Sequence, residues 1–209
     1  MSRIDAEGFR RATGVSRETL ERLAVYESLL RKWQKTINLV GPKTLDDAWN
    51  RHFLDSAQLH PLLPESAKVL VDLGSGAGFP GLVLAIMGVP EVHLIESDVR
   101  KGAFLREAAR ATGAPVTVHS KRIEAVQGLE ADVLTARALA PLSDLLEWGA
   151  RFLRPGGTAL FLKGQNVEDE LTATTKYWKM HTERFNSVTD PSGSIQRLSG
   201  IAPVQNADV

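Results

Sequence analysis

The stretch VDLGSGAGFPG, residues 71–81, carries two overlapping glycine patterns. Counted from Gly74, it reads as an acid, a spacer and Gly-x-Gly-x-Gly: Asp72, Gly74, Gly76, Gly78. Counted from Gly76, it reads as Gly-x-Gly-x-x-Gly through Gly78 and Gly81, the spacing of a dinucleotide-binding turn. One register points to a methyl donor and the other to a hydride carrier. In both, the turn joins an apolar strand to an apolar helix, and Glu96 lies twenty positions after Gly76, near where a ribose-binding acid is expected. Without the glycine loop, Glu96 would read as a strand-end acid facing solvent.

Working outward, strands and helices alternate. KVLVDLG (68–74), EVHLIESD (91–98), PVTVHS, ADVLTARAL and TALFLKG read as strands. PGLVLAIMG (80–88), VRKGAFLREAARATG ending at Gly113, and LSDLLEWGARFL read as helices, with a short helix between PVTVHS and ADVLTARAL and a turn at RPGG. This alternation predicts a parallel sheet with helices on both faces. KMHTERFNSV and SIQRLSGIAPV flank an Asp190-Pro191-Ser192-Gly193 turn, predicting an antiparallel C-terminal edge.

The first 64 residues differ in character. Ser16 caps a helix over 16–38 with Leu20, Leu23, Tyr26, Leu30, Trp33 and Ile37 on one face. Gly41-Pro42 breaks it. Thr44 and Asp47 resemble a capping box opening a second helix that carries Trp49, Phe53 and Leu59, stopped by Pro61 and Pro64. The expected organisation is a helical extension over 1–64 packed on an α/β domain over 65–209.

Composition excludes several chemistries. The chain has 209 residues and no cysteine, which rules out disulfides, thiolate metal ligands and cysteine nucleophiles. With 25 basic and 25 acidic side chains, net charge gives no global case for a polyanionic partner. Locally, Arg100, Lys101, Arg106, Arg110, Lys121 and Arg122 face only Glu107, a basic surface able to hold phosphates or simply to be solvated. There is no apolar run near the ~20 residues that span a bilayer, so a cytoplasmic protein without membrane contact is expected.

Two residues separate the registers. Asp72 lies near the ligand end of an otherwise apolar strand, where it must have a polar partner to offset its burial; a cationic ligand nearby would help and a pyrophosphate would be repelled. Pro80 falls where the dinucleotide register needs free N–H groups for a pyrophosphate, and proline has none. Both favour S-adenosylmethionine, whose ammonium and sulfonium are cationic.

The runs VDLGSGAGFPGLVLAI, LIESDVRKGAFL, SKRIEA, TARALAPL, FLKG and NLVGPKTLDDAWNRHFLDS closely resemble the RsmG (GidB) family of bacterial methyltransferases, in order from Ile37 to Gly164. The resemblance implies a Rossmann-like class I methyltransferase fold with an N-terminal helical extension. It also implies S-adenosylmethionine-dependent methylation of guanine N7 in 16S ribosomal RNA. Carried over by position, it implies cofactor contacts at Gly74, Phe79, Ile123, Glu124 and Arg137, to which the glycine pattern adds Asp72 and Gly76, and the strand tip Glu96. The C-terminal RLSGIAPV departs from the basic ending associated with the family.

Guanine N7 carries no proton, so this chemistry needs no general base and no metal, only positioning. TARAL, where exocyclic-amine methyltransferases carry an Asn/Asp-Pro-Pro-aromatic motif, agrees. Arg137 donating to N7 would occupy the attacking lone pair, so a contact to cofactor, phosphate or O6 is expected instead. Substrate candidates are Lys163 at the ligand edge of its strand, Arg51 and His52. Trp33, Trp49 and Phe53 fall on apolar faces and read as core. The expected partner is 16S RNA or the small ribosomal subunit, met by a monomer. Two other classes stay open: a nicotinamide-dependent oxidoreductase, and a non-enzymatic ribosome-assembly or RNA-binding protein on this scaffold.

Overall fold

A computed structural model describes residues 4–204. Seven strands form one sheet, β1 (Val69–Leu73), β2 (Glu91–Ile95), β3 (Val116–His119), β4 (Ala131–Arg137), β5 (Leu153–Lys163), β6 (Trp178–Asn186) and β7 (Ser194–Pro203), in the order β3-β2-β1-β4-β5-β7-β6. The first five pair in parallel, and β7 runs antiparallel between β5 and β6. The expected sheet and its antiparallel edge are both present.

Strand β1 is buried along its whole length. Leu70 points into the core shared with the helical extension, while Val71 and Leu73 point to the opposite face with Leu134 and Phe161. Covering both faces explains why the segment reads as a continuous apolar run. By the same two-residue period, Asp72 shares Leu70's face.

The extension begins with α1 (Ala6–Thr13), which the sequence reading missed. Asp5 accepts from the Gly8 N–H at 2.7 Å, and Gly14 closes the helix in the left-handed conformation. Helix α2 (Arg17–Gln34) is capped by Ser16 and buries Leu20, Leu23, Tyr26 and Leu30. Phe9, these α2 residues, Trp49 and Phe53 form one core with Leu82, Leu94 and Phe104. Each buried leucine contributes on the order of 1.5–3 kcal/mol. Arg22 fastens the layers further, donating to the Thr112 and Gly113 carbonyls at 2.6 and 3.2 Å, at the negative end of α5 (Val99–Thr112).

Two predicted features differ. No capping box opens a helix at Thr44: residues Pro42–Asp47 are 3-10, and Trp49–Leu54 is a π-helical turn running into α3 (Asp55–Ala57). The Thr44 hydroxyl bonds Gly41 and His52 instead of a helix N-terminus. Nor does RPGG turn between elements. It lies within β5, where pairing shifts from Ala131 with Leu153 to Val133 with Thr158, and left-handed Gly156 absorbs the extra residues as a bulge.

Helix α4 (Gly81–Ile86) packs directly on β1, with Pro80 at its N-cap. A Cβ on Gly81 would lie 2.7 Å from the Asp72 Cβ and 2.5 Å from a Leu94 methyl. Gly81→Ala should therefore cost about 1–3 kcal/mol through overpacking, read from urea denaturation; an unchanged midpoint would show that helix and strand are not in close contact.

Candidate active site

Strand order reverses between β1 and β4, and in such sheets ligands sit beyond the strand ends at that point. A cavity of about 760 Å³ opens there. Its floor is the loop after β1, in which Gly74, Gly76 and Gly78 have φ of +59°, +57° and +96°. Side chains disfavour this conformation, so the alternating glycines are the ones the turn requires. Gly81 is helical and serves close packing. A dinucleotide turn also uses its third glycine this way, but its second would have to face the pyrophosphate; a Cβ on Gly78 would meet the Tyr26 hydroxyl at 2.8 Å and Leu82 and Leu105 at 3.0 Å, so the spacing is used in the Gly74 register.

The loop is held from several directions. The Ser75 N–H donates to the Ile95 carbonyl at 3.0 Å, and the Gly76 N–H to Glu96 Oε2 at 2.8 Å. Glu96 Oε1 accepts from the Asp98 N–H at 2.7 Å. Each carboxylate oxygen retains a lone pair for a ligand hydroxyl. From α2, the buried Tyr26 hydroxyl donates to the Ala77 carbonyl. On a helical stripe Tyr26 looks like core, and nothing in its spacing signals this second task.

Phe79 is packed between rings. Tyr26 and His52 stack on it with centroids 5.3 and 5.0 Å away, Phe53 meets it edge-on, and the Arg137 guanidinium lies 5.1 Å from its centroid. Arg137, ending β4, donates from Nη1 to the Arg51 carbonyl and Asp55 Oδ2, both at 3.1 Å, and from Nη2 to His52 Nδ1 at 3.2 Å. His52 therefore carries its proton on Nε2 and donates to Thr44 Oγ1 at 2.7 Å, while Thr44 donates to the Gly41 carbonyl. Burial, then Arg137 and Arg51, push the His52 pKa down to about 3. The ring stays neutral with both nitrogens engaged.

Asp55 was not singled out by the sequence reading. Its second oxygen accepts from Thr189 Oγ1 at 2.6 Å and Gln58 Nε2 at 3.0 Å, linking the π-helical turn to the loop before β7. Only its place in RHFLDS, residues 51–56, marked it.

Gly74, Gly76, Phe79, Glu96, Ile123, Glu124, Arg137, Arg51, His52 and Lys163 all line the cavity, as do Lys101, Lys121 and Arg122 of the basic run. Three expectations need correction. His52, expected as a substrate contact, has both ring nitrogens engaged, by Arg137 and Thr44. Asp72 lies beneath the loop at 0% exposure and does not face the cavity. Its Oδ1 accepts from Thr135 Oγ1 at 2.7 Å, so the polar partner that offsets its burial is a neighbouring strand and not a ligand. Its Oδ2 finds no partner among the described residues, and burial, opposed by the Thr135 bond, pushes the carboxyl up to about 6. Lys163 lines the cavity but is not free for a phosphate. Its ammonium donates to the Ala140 carbonyl at 2.9 Å and pairs with Glu170 at 2.5 Å. Glu170 belongs to a further helix, Val167–Thr174, absent from the sequence reading.

A sequence model of the GidB family, rRNA small subunit methyltransferase G, matches residues 19–198. The chain belongs to this family. The "Ribosomal RNA small subunit methyltransferase G" of Rhodospirillum centenum is 66% identical over 95% of this chain and 92% of its own length. That of Paramagnetospirillum magneticum is 62% identical over 91% and 93%. Among solved structures, M. jannaschii TYW2 in complex with AdoMet superposes with a TM-score of 0.58 at 15% identity, covering 81% of this chain and 80% of its own, which supports the fold.

Two predictions follow from the loop. A carboxyl with a folded pKa of about 6 against an ordinary 3.8 contributes stability that is full below about pH 3.8 and lost as pH rises through about 6. Asp72→Asn should thus gain on the native chain by up to about 3 kcal/mol between about pH 4 and 7, measured by urea denaturation at each pH; a constant difference would contradict this. Tyr26→Phe should lose about 1–2 kcal/mol in the same assay and bind the loop's ligand more weakly.

Proposed function

We propose that this chain methylates N7 of a guanine in 16S ribosomal RNA, using S-adenosylmethionine. The observation that carries the reading is the left-handed Gly74, Gly76, Gly78 turn clamped by Glu96, in a chain of the methyltransferase G family.

The residues fit the cofactor. A Cβ on Gly76 would meet only a backbone oxygen 3.9 Å away, so the turn leaves space for a ligand to approach the backbone closely. Glu96 would accept ribose hydroxyls, Ile123 and Glu124 would meet the adenine, and Phe79 supports the loop. Three of Arg137's five N–H groups are committed among the described residues, and the other two would take the methionine carboxylate. When bound, the cofactor supplies a sulfonium methyl that passes to a nitrogen lone pair.

Guanine N7 has no proton to lose, so no side chain has to act as base. His52, neutral and bonded at both nitrogens, is placed to orient Arg137 and not to move a proton. The protein's task is to hold the two reactants in line, where near-attack geometry supplies up to about 7–11 kcal/mol of the barrier. Lys101, Lys121 and Arg122 at the cavity offer positive charge to the RNA backbone. The hydride-carrier alternative needs Gly78 to admit a pyrophosphate, but that glycine faces Tyr26, Leu82 and Leu105 in the core.

We further read residues 1–64 as an extension on the methyltransferase unit over 65–209, and the protein as a cytoplasmic monomer. Among the described residues no helix is long and apolar enough to cross a membrane.

Incubating the chain and labelled S-adenosylmethionine with small subunits from a strain lacking this methyltransferase should yield labelled 7-methylguanosine after digestion. Its absence, or label in another nucleoside, would refute the reading. Arg137→Ala should weaken S-adenosylmethionine binding by about tenfold or more, measured by calorimetry.

A further inference from the structure

Beyond Arg137 the cavity continues to a second wall, formed by the turn bearing Arg51 and the loop between β6 and β7. Most charges there are satisfied: Arg137 pairs with Asp55 at 3.1 Å, and Lys163 with Glu170 at 2.5 Å. Arg51 and Asp190 differ. They stand 3.7 Å apart, 44% and 39% exposed.

Asp190 is also held in a fixed direction. Its Oδ1 accepts both the N–H and the hydroxyl of Ser192, at 2.9 and 2.7 Å, so among the described residues Oδ2 has only the loose Arg51 contact. The preceding residue, Thr189, is bonded to Asp55, the partner of Arg137. The segment bearing Asp190 is thereby tied to Arg137, and both residues line the same cavity.

Resting on the proposed function, we infer that Asp190 recognises the Watson–Crick edge of the target guanine, with Arg51 donating to O6. Guanine is the base that offers two adjacent donors, N1–H and the N2 amine, beside an acceptor. Adenine and cytosine each place a ring acceptor next to their amine, and uracil has one N–H between two carbonyls. An unstacked base is commonly read on this edge. Contact there leaves N7, on the opposite side of the ring, open to the methyl group. A carboxylate also favours the positive charge that the base acquires on methylation.

The test uses small subunits reconstituted with guanosine or inosine at the target position, since inosine lacks only the N2 amine. In single turnover the native chain should methylate guanosine at least about tenfold faster than inosine. Asp190→Asn should slow guanosine on the order of 10- to 100-fold, bring the two rates together, and leave S-adenosylmethionine affinity within about twofold by calorimetry. Arg51→Ala should slow both substrates alike, because both carry O6. Equal rates on the native chain overturn the proposal without any variant. So does an Asp190→Asn chain that keeps the preference, or one that loses cofactor affinity in parallel, as a loop-holding role would require. A native chain that methylates guanosine but does not discriminate refutes Asp190's role alone; one that methylates neither refutes the function on which it rests.

Discussion

The ion pair between Asp55 and Arg137 is the constraint around which the site is organised. Both side chains are mostly buried, and such charges are tolerable only when each is paired and hydrogen-bonded. The structure meets this demand with groups from three distant segments. The π-helical turn supplies the Arg51 carbonyl and the His52 ring, β4 supplies the guanidinium, and the loop before β7 supplies the Thr189 hydroxyl. Removing one partner would strand a charge, so the same contacts that orient Arg137 also tie the extension and the C-terminal hairpin to the sheet.

Phe79 carries that organisation to the glycine loop. Stacked by His52 and Tyr26 and covered by Arg137, it joins the end of the loop to the ion-pair network. The loop sits between two acids with opposite tasks. Glu96, at its edge, accepts backbone N–H groups and keeps lone pairs for a ligand. Asp72, beneath it, is buried against Thr135 and Gly81, where ionisation is opposed by the lack of solvent. The π-helical turn fits this scheme, because wide turns of this kind re-aim side chains at functional sites.

Local patterns made much of this legible. Apolar runs and glycine boundaries marked the parallel strands and α5, and the Gly74 register holds because Gly74, Gly76 and Gly78 are all left-handed and Gly78 faces the core. Trp33, Trp49 and Phe53 sit in or against the core, as their helical spacing implied. What stayed hidden depends on partners far along the chain. Thr44 and Asp47 matched a capping box, but Thr44's decisive partner is His52. Lys163 looked free because Glu170 lies on a helix with a weak apolar pattern. RPGG carried every mark of a turn, yet sheet pairing absorbed it into β5. Asp72 was rightly read as needing a polar partner, which proved to be Thr135 from the adjacent strand. Asp5 and Gly14, bracketing α1, were the one local signal available and passed over.

The central claim is that this turn is built for S-adenosylmethionine and not for a dinucleotide. Calorimetric titration of the full chain with each is its most direct test. Saturable binding of S-adenosylmethionine at micromolar concentration, with no heat from NADH beyond dilution, is the predicted result. Binding of NADH with no binding of S-adenosylmethionine would contradict it.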